Sequence, residues 1–287
     1  MHSVDSLAMG FWGPVTATID WCEANYQFSR HIAESANTLS NLFTLGFALY
    51  GARAILRERL PARYLTSWAG LALIAIGSIA FHATLLYEAQ MADELPMIYT
   101  TSWGAFIVSD TLPSFKVRSR SKVLLIGIML FNVLFTWSYL DGRSPVYRNP
   151  VYHQLVFGAL LILCTIRVTY LMRFSSIAPT LSQSLVSGAN RLFAAGVGLF
   201  LTGFFIWNLD NIFCDTITGW KKSIGWPAAF LLEGHSWWHF FTGAGGYFMT
   251  QGNACTSLSV KDSSHKYTLK YQAGLPTIHR TKAEKVQ

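Results

Sequence analysis

The sequence predicts an all-α membrane protein, a bundle of seven transmembrane helices with a lumenal or extracellular N-terminus and a cytosolic C-terminus. Three observations carry that expectation. Of 287 residues, 52% are hydrophobic and only 13% charged, where a soluble domain carries charge on roughly a quarter of its residues. Seven segments reach the length of about 20 mostly apolar residues that a hydrocarbon core demands. Basic residues then collect in alternate short connections.

Taken in order, the expected spans are residues 35–57, 64–86, 94–114, 122–140, 150–173, 191–211 and 227–250. Helices are the required form, because lipid offers no partner to open backbone groups. Arg57, Arg59 and Arg63 lie between the first two spans, and Lys116, Arg118, Arg120 and Lys122 between the third and fourth. Those connections should face the cytosol. An odd number of spans sends the tail after residue 250 to the same side, and its six Lys or Arg against two acids agree. Arg143, Arg148, Lys221 and Lys222 fall on the lumenal side but are outnumbered.

The domain reading is a lumenal segment over 1–34, one membrane domain over 35–250, and a basic cytosolic tail over 251–287 whose polar composition suggests disorder. No internal repeat or second domain is evident. Residues 1–34 lack the basic start and apolar stretch of a signal peptide, so insertion is expected to use the internal helices. The net charge of +7 could suggest nucleic acid, but the basic residues form no face or run, so membrane lipids are the expected partners and nucleic acid is not. No obligate protein partner is evident. Ten Trp scattered toward span ends read as interfacial anchors. In this topology Cys164 lies inside a span and Cys255 is cytosolic. Only Cys22 and Cys214 can share an oxidising compartment, so a disulfide between them is expected, with two free thiols as the alternative.

His235 and His239 stand four apart on one span, so both imidazoles project from one helical face. His82 ends the second span, whose lumenal end lies beside the start of the seventh. Three histidines leave one tetrahedral position of a zinc ion open to water, the arrangement of a catalytic site. The bland alternative is a set of hydrogen-bonded core histidines, but ionisable groups within spans are rare and usually functional. Asp93 follows His82 after a short turn. It can serve as a general acid and base or as a helix N-cap ahead of Leu95-Pro96, and the spacing leaves both roles open. Ser78 lies one turn from His82, where its hydroxyl can face an oxyanion or bond its own helix.

Asp20, Glu23, Asn25 and Glu34 crowd the entry to the first span. Carboxylates and an amide are hard oxygen ligands that suit calcium, but the spacing matches no EF-hand, and a solvated acidic segment explains it equally well. Near the end of the sixth span, Trp207-Asn208-Leu209-Asp210-Asn211 reads mainly as helix-holding hydrogen bonds.

Several stretches together resemble the alkaline ceramidases, a family within the seven-helix hydrolase superfamily that also holds the progestin and adipoQ receptors. They are Gly10-Phe-Trp-Gly-Pro14, Asp20-Trp-Cys-Glu23 with Asn25 and Tyr26, Ile32-Ala-Glu34, Gly77-Ser78, Phe81-His82, Tyr87-Glu88, Asp93 through Tyr99, Trp207 through Cys214, and His235 through His239. The resemblance covers residues 10 to about 250. It implies zinc on His82, His235 and His239, with Asp93 and Ser78 completing a catalytic site. It also implies calcium on Asp20, the Trp21 carbonyl, Glu23, Asn25 and Glu34, and it agrees with the Cys22 to Cys214 pairing. The activity implied is hydrolysis of the amide bond of ceramide, dihydroceramide or phytoceramide to a sphingoid base and a fatty acid, in the endoplasmic reticulum or Golgi membrane. The competing expectation is a receptor of the same superfamily with a structural zinc site. A metal transporter would need polar residues along several spans and a His-rich loop, and neither occurs.

Overall fold

The computed structural model describes residues 10–141 and 149–281. Arg143 and Arg148 lie outside them, as do the last six tail residues. Among the described residues there are eight α-helices: α1 Ser35–Arg57, α2 Ala62–Thr84, α3 Tyr87–Ser109, α4 Ser119–Leu140, α5 Pro150–Arg173, α6 Gln183–Ile212, α7 Cys214–Ile224 and α8 Gly234–Lys261. Five of them, α1, α2, α4, α5 and α6, are long and apolar enough to cross a membrane. α3 and α8 have the length, at 23 and 28 residues, but carry polar groups that the bundle interior needs. α7 was not anticipated; its 11 residues, with Lys221 and Lys222 in the last turn, are too few and too polar for a span.

α8 sits at the centre, packed on α6 and α1, while α2 joins α1 to α3 and α3 contacts α4 and α5. The α6–α8 approach is close because two glycines meet: a Cβ on Gly245 would stand 2.9 Å from the Gly196 carbonyl oxygen. α4 is peripheral, burying only Ser121, Phe135 and Tyr139 and exposing Val123, Ile126, Met129, Val133 and Trp137. An apolar helix with an apolar outer face suits a lipid surround.

Three boundaries differ from the sequence expectation. α3 begins at Tyr87, not 94, so Asp93 lies inside the helix and is not its N-cap. Pro96, read as a helix start, sits in the interior. Proline has no N–H to give the carbonyl four residues back, which leaves the Ala92 carbonyl without its helical donor. α2 presses its backbone at Gly77 against that carbonyl. α6 begins at Gln183, eight residues early, because its first two turns are polar and escaped the apolar count. The last long helix begins at Gly234 after a 3₁₀ turn over Ala228–Leu232 and continues to Lys261.

The expected disordered tail is ordered through residue 281. β1 Tyr267–Gln272 and β2 Leu275–Arg280 pair antiparallel through a turn in which Ala273 and Gly274 both have positive φ, 49° and 78°, as a two-residue hairpin requires. Tyr267 and Ile278 are buried in the main core, and Tyr247 Oη donates to the Pro276 carbonyl at 2.6 Å. Pro276, Thr277 and Ile278 of β2 are buried in succession, a local burial that overall composition conceals. Near the same end, Asp110 accepts from Arg63 at 2.8 Å, Lys261 at 2.9 Å and Ser121 at 2.8 Å, tying α2, α4 and α8 to the end of α3.

Candidate metal and catalytic site

The three expected histidines meet. One ligand nitrogen from each of His82, His235 and His239 lies within 4.8 Å of the others, and all three side chains are buried. α2 delivers His82 from its last turn and α8 delivers the other two from its first two turns. Asp210 helps hold that first turn, its carboxylate accepting the Gly234 N–H at 3.3 Å, a structural role for the Trp207–Asn211 group.

Neighbouring groups fix the rings. Glu34 Oε2 lies 2.5 Å from His82 Nδ1; with the carboxylate accepting, Nδ1 would carry the proton and Nε2 keep its lone pair for a cation. The Ser40 hydroxyl, which donates to the Asn37 carbonyl at 2.9 Å, lies 2.8 Å from His239 Nδ1, and Asn41 Nδ2 lies 3.2 Å from the same nitrogen, so the ring is held from its Nδ1 side. This is how proteins orient metal-binding imidazoles. Trp21 stacks flat on His235, with ring centroids 3.9 Å apart and planes 13° from parallel. His235 Nδ1 is buried with no hydrogen-bond partner. An orphaned imidazole nitrogen beside two oriented rings fits a cation that takes nitrogen donors.

Asp93 and Ser78 reach the same place. The Ser78 side chain lies beside the Asp93 carboxyl, and the Ser78 oxygen accepts from Asn41 Nδ2 at 2.9 Å. All five of these expected residues line one cavity of about 560 Å³. Its walls are otherwise largely apolar, with Leu71, Phe81, Met97, Phe157, Leu161, Phe193, Phe200 and Phe204 among them. Ile162 and Ile166 of α5 and Leu201 of α6 both line it and face outward, so the cavity opens sideways along the α5–α6 seam.

The acidic residues are drawn in more loosely. Glu23 caps α1, accepting from Ala36 N at 2.7 Å and Asn37 N at 2.9 Å. Burial pushes its carboxyl up to about 7 despite those two bonds. Asp20 accepts from Trp21 N at 3.1 Å and Asn25 Nδ2 at 3.3 Å. Asn25 Oδ1, Glu34 Oε1 and Asn37 Oδ1 remain buried without partners, three hard oxygens of the kind a calcium ion takes. Cys22 and Cys214 form the expected disulfide, with Cα atoms 5.5 Å apart, anchoring this segment to α7.

Sequence reasoning missed Asn37, Ser40, Asn41 and Thr44. They follow Glu34 at helical spacing and are all buried, so the available signal was a polar stripe along an otherwise apolar span. It also missed Glu94, whose carboxylate takes bonds from Tyr139 and Gln90, and His153, which donates to the Glu94 carbonyl at 2.9 Å.

The ceramidase family model matches residues 13–279, hairpin included. Mouse alkaline ceramidase 3 is 35% identical over 239 residues, 83% of each chain. The alkaline ceramidase YPC1 of Saccharomyces cerevisiae is 34% identical over 255 residues, 85% of this chain and 78% of its own. An alkaline ceramidase of Arabidopsis thaliana is 31% identical over 237 residues, 83% of this chain and 82% of its own. A match over nearly the whole length, reached independently of the site's geometry, leads to one conclusion: this chain belongs to the ceramidase family.

Proposed function

We propose that the protein is a zinc-dependent amidohydrolase that cleaves the amide bond of ceramide-type lipids within the membrane. The observation that carries this reading is the convergence of three oriented histidines, Asp93 and Ser78 at one end of an apolar cavity open to the lipid side. The relatives' names as alkaline ceramidases support the substrate class. His82, His235 and His239 would hold the zinc, which when bound supplies a Lewis acid that lowers the pKa of water and polarises a carbonyl.

The chain's own residues handle the protons and the substrate. The cavity walls take the acyl and sphingoid chains, so neither crosses water. Asn41 holds Ser78, and Ser78 in turn orients Asp93. As water adds to the amide carbon, the Asp93 carboxylate accepts its proton. Once protonated, Asp93 no longer needs the Ser78 hydroxyl, which is then free to turn toward the developing oxyanion. Asp93 delivers the same proton to the departing nitrogen, so one amide and one water give a fatty acid and a free amine.

We also read α3 and α8 as crossing the bilayer, giving seven spans, with α7 at the surface. The Cys22–Cys214 disulfide fits an N-terminal side facing the lumen of the endoplasmic reticulum or Golgi. A calcium ion among Asp20, the Trp21 carbonyl, Glu23, Asn25 and Glu34 would satisfy the orphaned Asn25 and Glu34 oxygens; a calcium-dependent rise in melting temperature, lost in Asn25→Ala, tests it. The test of the function is hydrolysis of ceramides, dihydroceramides and phytoceramides by purified protein in detergent, with bound zinc measured in parallel. Release of a sphingoid base that vanishes together with zinc in His235→Ala, and without zinc loss in Asp93→Asn, is expected. Bound zinc with no release from any substrate would favour the receptor reading.

A further inference from the structure

Between Asp141 and Asp210 the sequence contains no acidic residue but five arginines, at 143, 148, 167, 173 and 191. Arg173, at the end of α5, and Arg191, on α6, line one groove together with Gln183, Ser187 and Asn190. The groove has a volume of about 450 Å³. Arg191 is fixed along its own helix by Ser187 Oγ at 3.1 Å, and among the described residues neither arginine pairs with a carboxylate. Arg191 lies eight residues into α6, where the polar first two turns give way to the apolar span, the level at which a lipid headgroup meets a membrane helix. The remaining lining groups add hydroxyl and amide hydrogen bonds, and no acid opposes an anion.

The groove also continues into the seam. Ala194 on its wall lies one turn before Val197, and Arg173 two turns beyond Ile166; Val197, Ile166 and Leu201 line the sideways opening of the large cavity. We propose that this groove binds the phosphate of an anionic membrane lipid, whose acyl chains run down the α5–α6 seam to the cavity mouth. Two guanidiniums and three neutral hydrogen-bonding side chains match a phosphodiester with further headgroup oxygens. The occupant is a lipid rather than a soluble phosphate because the groove leads into an exposed apolar seam. Such a lipid would lie beside the route by which substrate enters.

The test is lipid binding, read without reference to hydrolysis. Purified protein in micelles holding equal phosphatidylserine and phosphatidylcholine is analysed by native mass spectrometry, beside Arg173→Gln/Arg191→Gln and a control, Lys116→Gln/Arg118→Gln, that removes the same charge from an exposed connection. The wild type should retain phosphatidylserine preferentially, and the groove variant should bind it roughly thirtyfold more weakly, about fivefold per arginine. The control should match wild type, and soluble glycerophosphoserine should not compete. Equal loss in both variants would mean diffuse charge attraction and would overturn the proposal. So would no preference over phosphatidylcholine, or full competition by glycerophosphoserine or inorganic phosphate.

Discussion

Gly77→Ala is a one-methyl change that should disable the site through backbone spacing. A Cβ at position 77 would overlap the Ala92 carbonyl oxygen and stand 2.8 Å from the Asp93 backbone nitrogen, against an ordinary contact of roughly 3.5 Å. Both obstacles are main chain, so no rotamer change relieves them, and α2 and α3 must part by roughly 1 Å. The overpacking should cost about 1–3 kcal/mol of stability. Asp93 rides on the displaced segment while its partner Ser78 adjoins the new methyl, and a misplacement of about 1 Å can cost 10²-fold in rate. The comparison is Gly198→Ala on α6, whose Cβ would meet nothing within 4 Å and which lies outside the cavity lining. Ceramide turnover, zinc content and melting temperature would be measured on both purified variants. Gly77→Ala should lose about a hundredfold in kcat with zinc retained, and Gly198→Ala should stay within about threefold of wild type. Turnover above about a tenth of wild type in folded Gly77→Ala would refute the argument that this helix spacing positions Asp93.

Asp110→Asn should destabilise the protein by about 3–5 kcal/mol, since Lys261 and Arg63 lose a buried counter-charge. Burial alone would raise the Asp110 pKa, but bonds from Lys261, Ser121 and Arg63 outweigh it and hold the carboxyl below its usual value. A depressed folded pKa stabilises above the unfolded value of roughly 4 and loses that contribution as pH falls, so acidification should lower the wild-type melting temperature more than that of Asp110→Asn. Dialysis against a strong chelator should abolish hydrolysis, with zinc restoring wild type but not His235→Gln; activity that survives complete metal removal would contradict the site. Cys22→Ser opens a link spanning 192 residues, worth at most about 5 kcal/mol by chain entropy. The true loss should be smaller because inserted helices already restrict the unfolded chain; a reductant should reproduce it in wild type and leave the variant unchanged.

Much of the site was legible because a membrane makes polarity conspicuous. His82, His235 and His239 stood out by their cost in an apolar span, and the His235/His239 spacing alone placed two on one face. The same logic applied to Asn37, Ser40 and Asn41 but was masked, because Asn and Ser at a span's edge read as ordinary interfacial residues. Asp93 illustrates the limit of local rules: Asp ahead of Leu-Pro is a reasonable helix start, yet α3 runs through Pro96 because α2 packs against the freed Ala92 carbonyl, a tertiary contact no local window contains. The hairpin failed for the opposite reason. Its burial rests on a few positions, Tyr267 and Ile278 chief among them, within a segment whose average composition is that of a polar tail.

The Trp21–His235 stack and the disulfide beneath it also set an order of assembly during synthesis. Trp21, Cys22 and Glu34 leave the ribosome first; Cys214 follows Cys22 by the 192 residues that the disulfide closes, and His235 and His239 come later still. At about 5–20 residues per second that interval is roughly 10–40 s. Throughout it, the early segment waits without the partners that complete the site. Until then a nascent chain cannot bring His82, His235 and His239 together in the membrane in which it is being made. The histidine group closes only when α8 is delivered and the segment around Trp21 stacks over it.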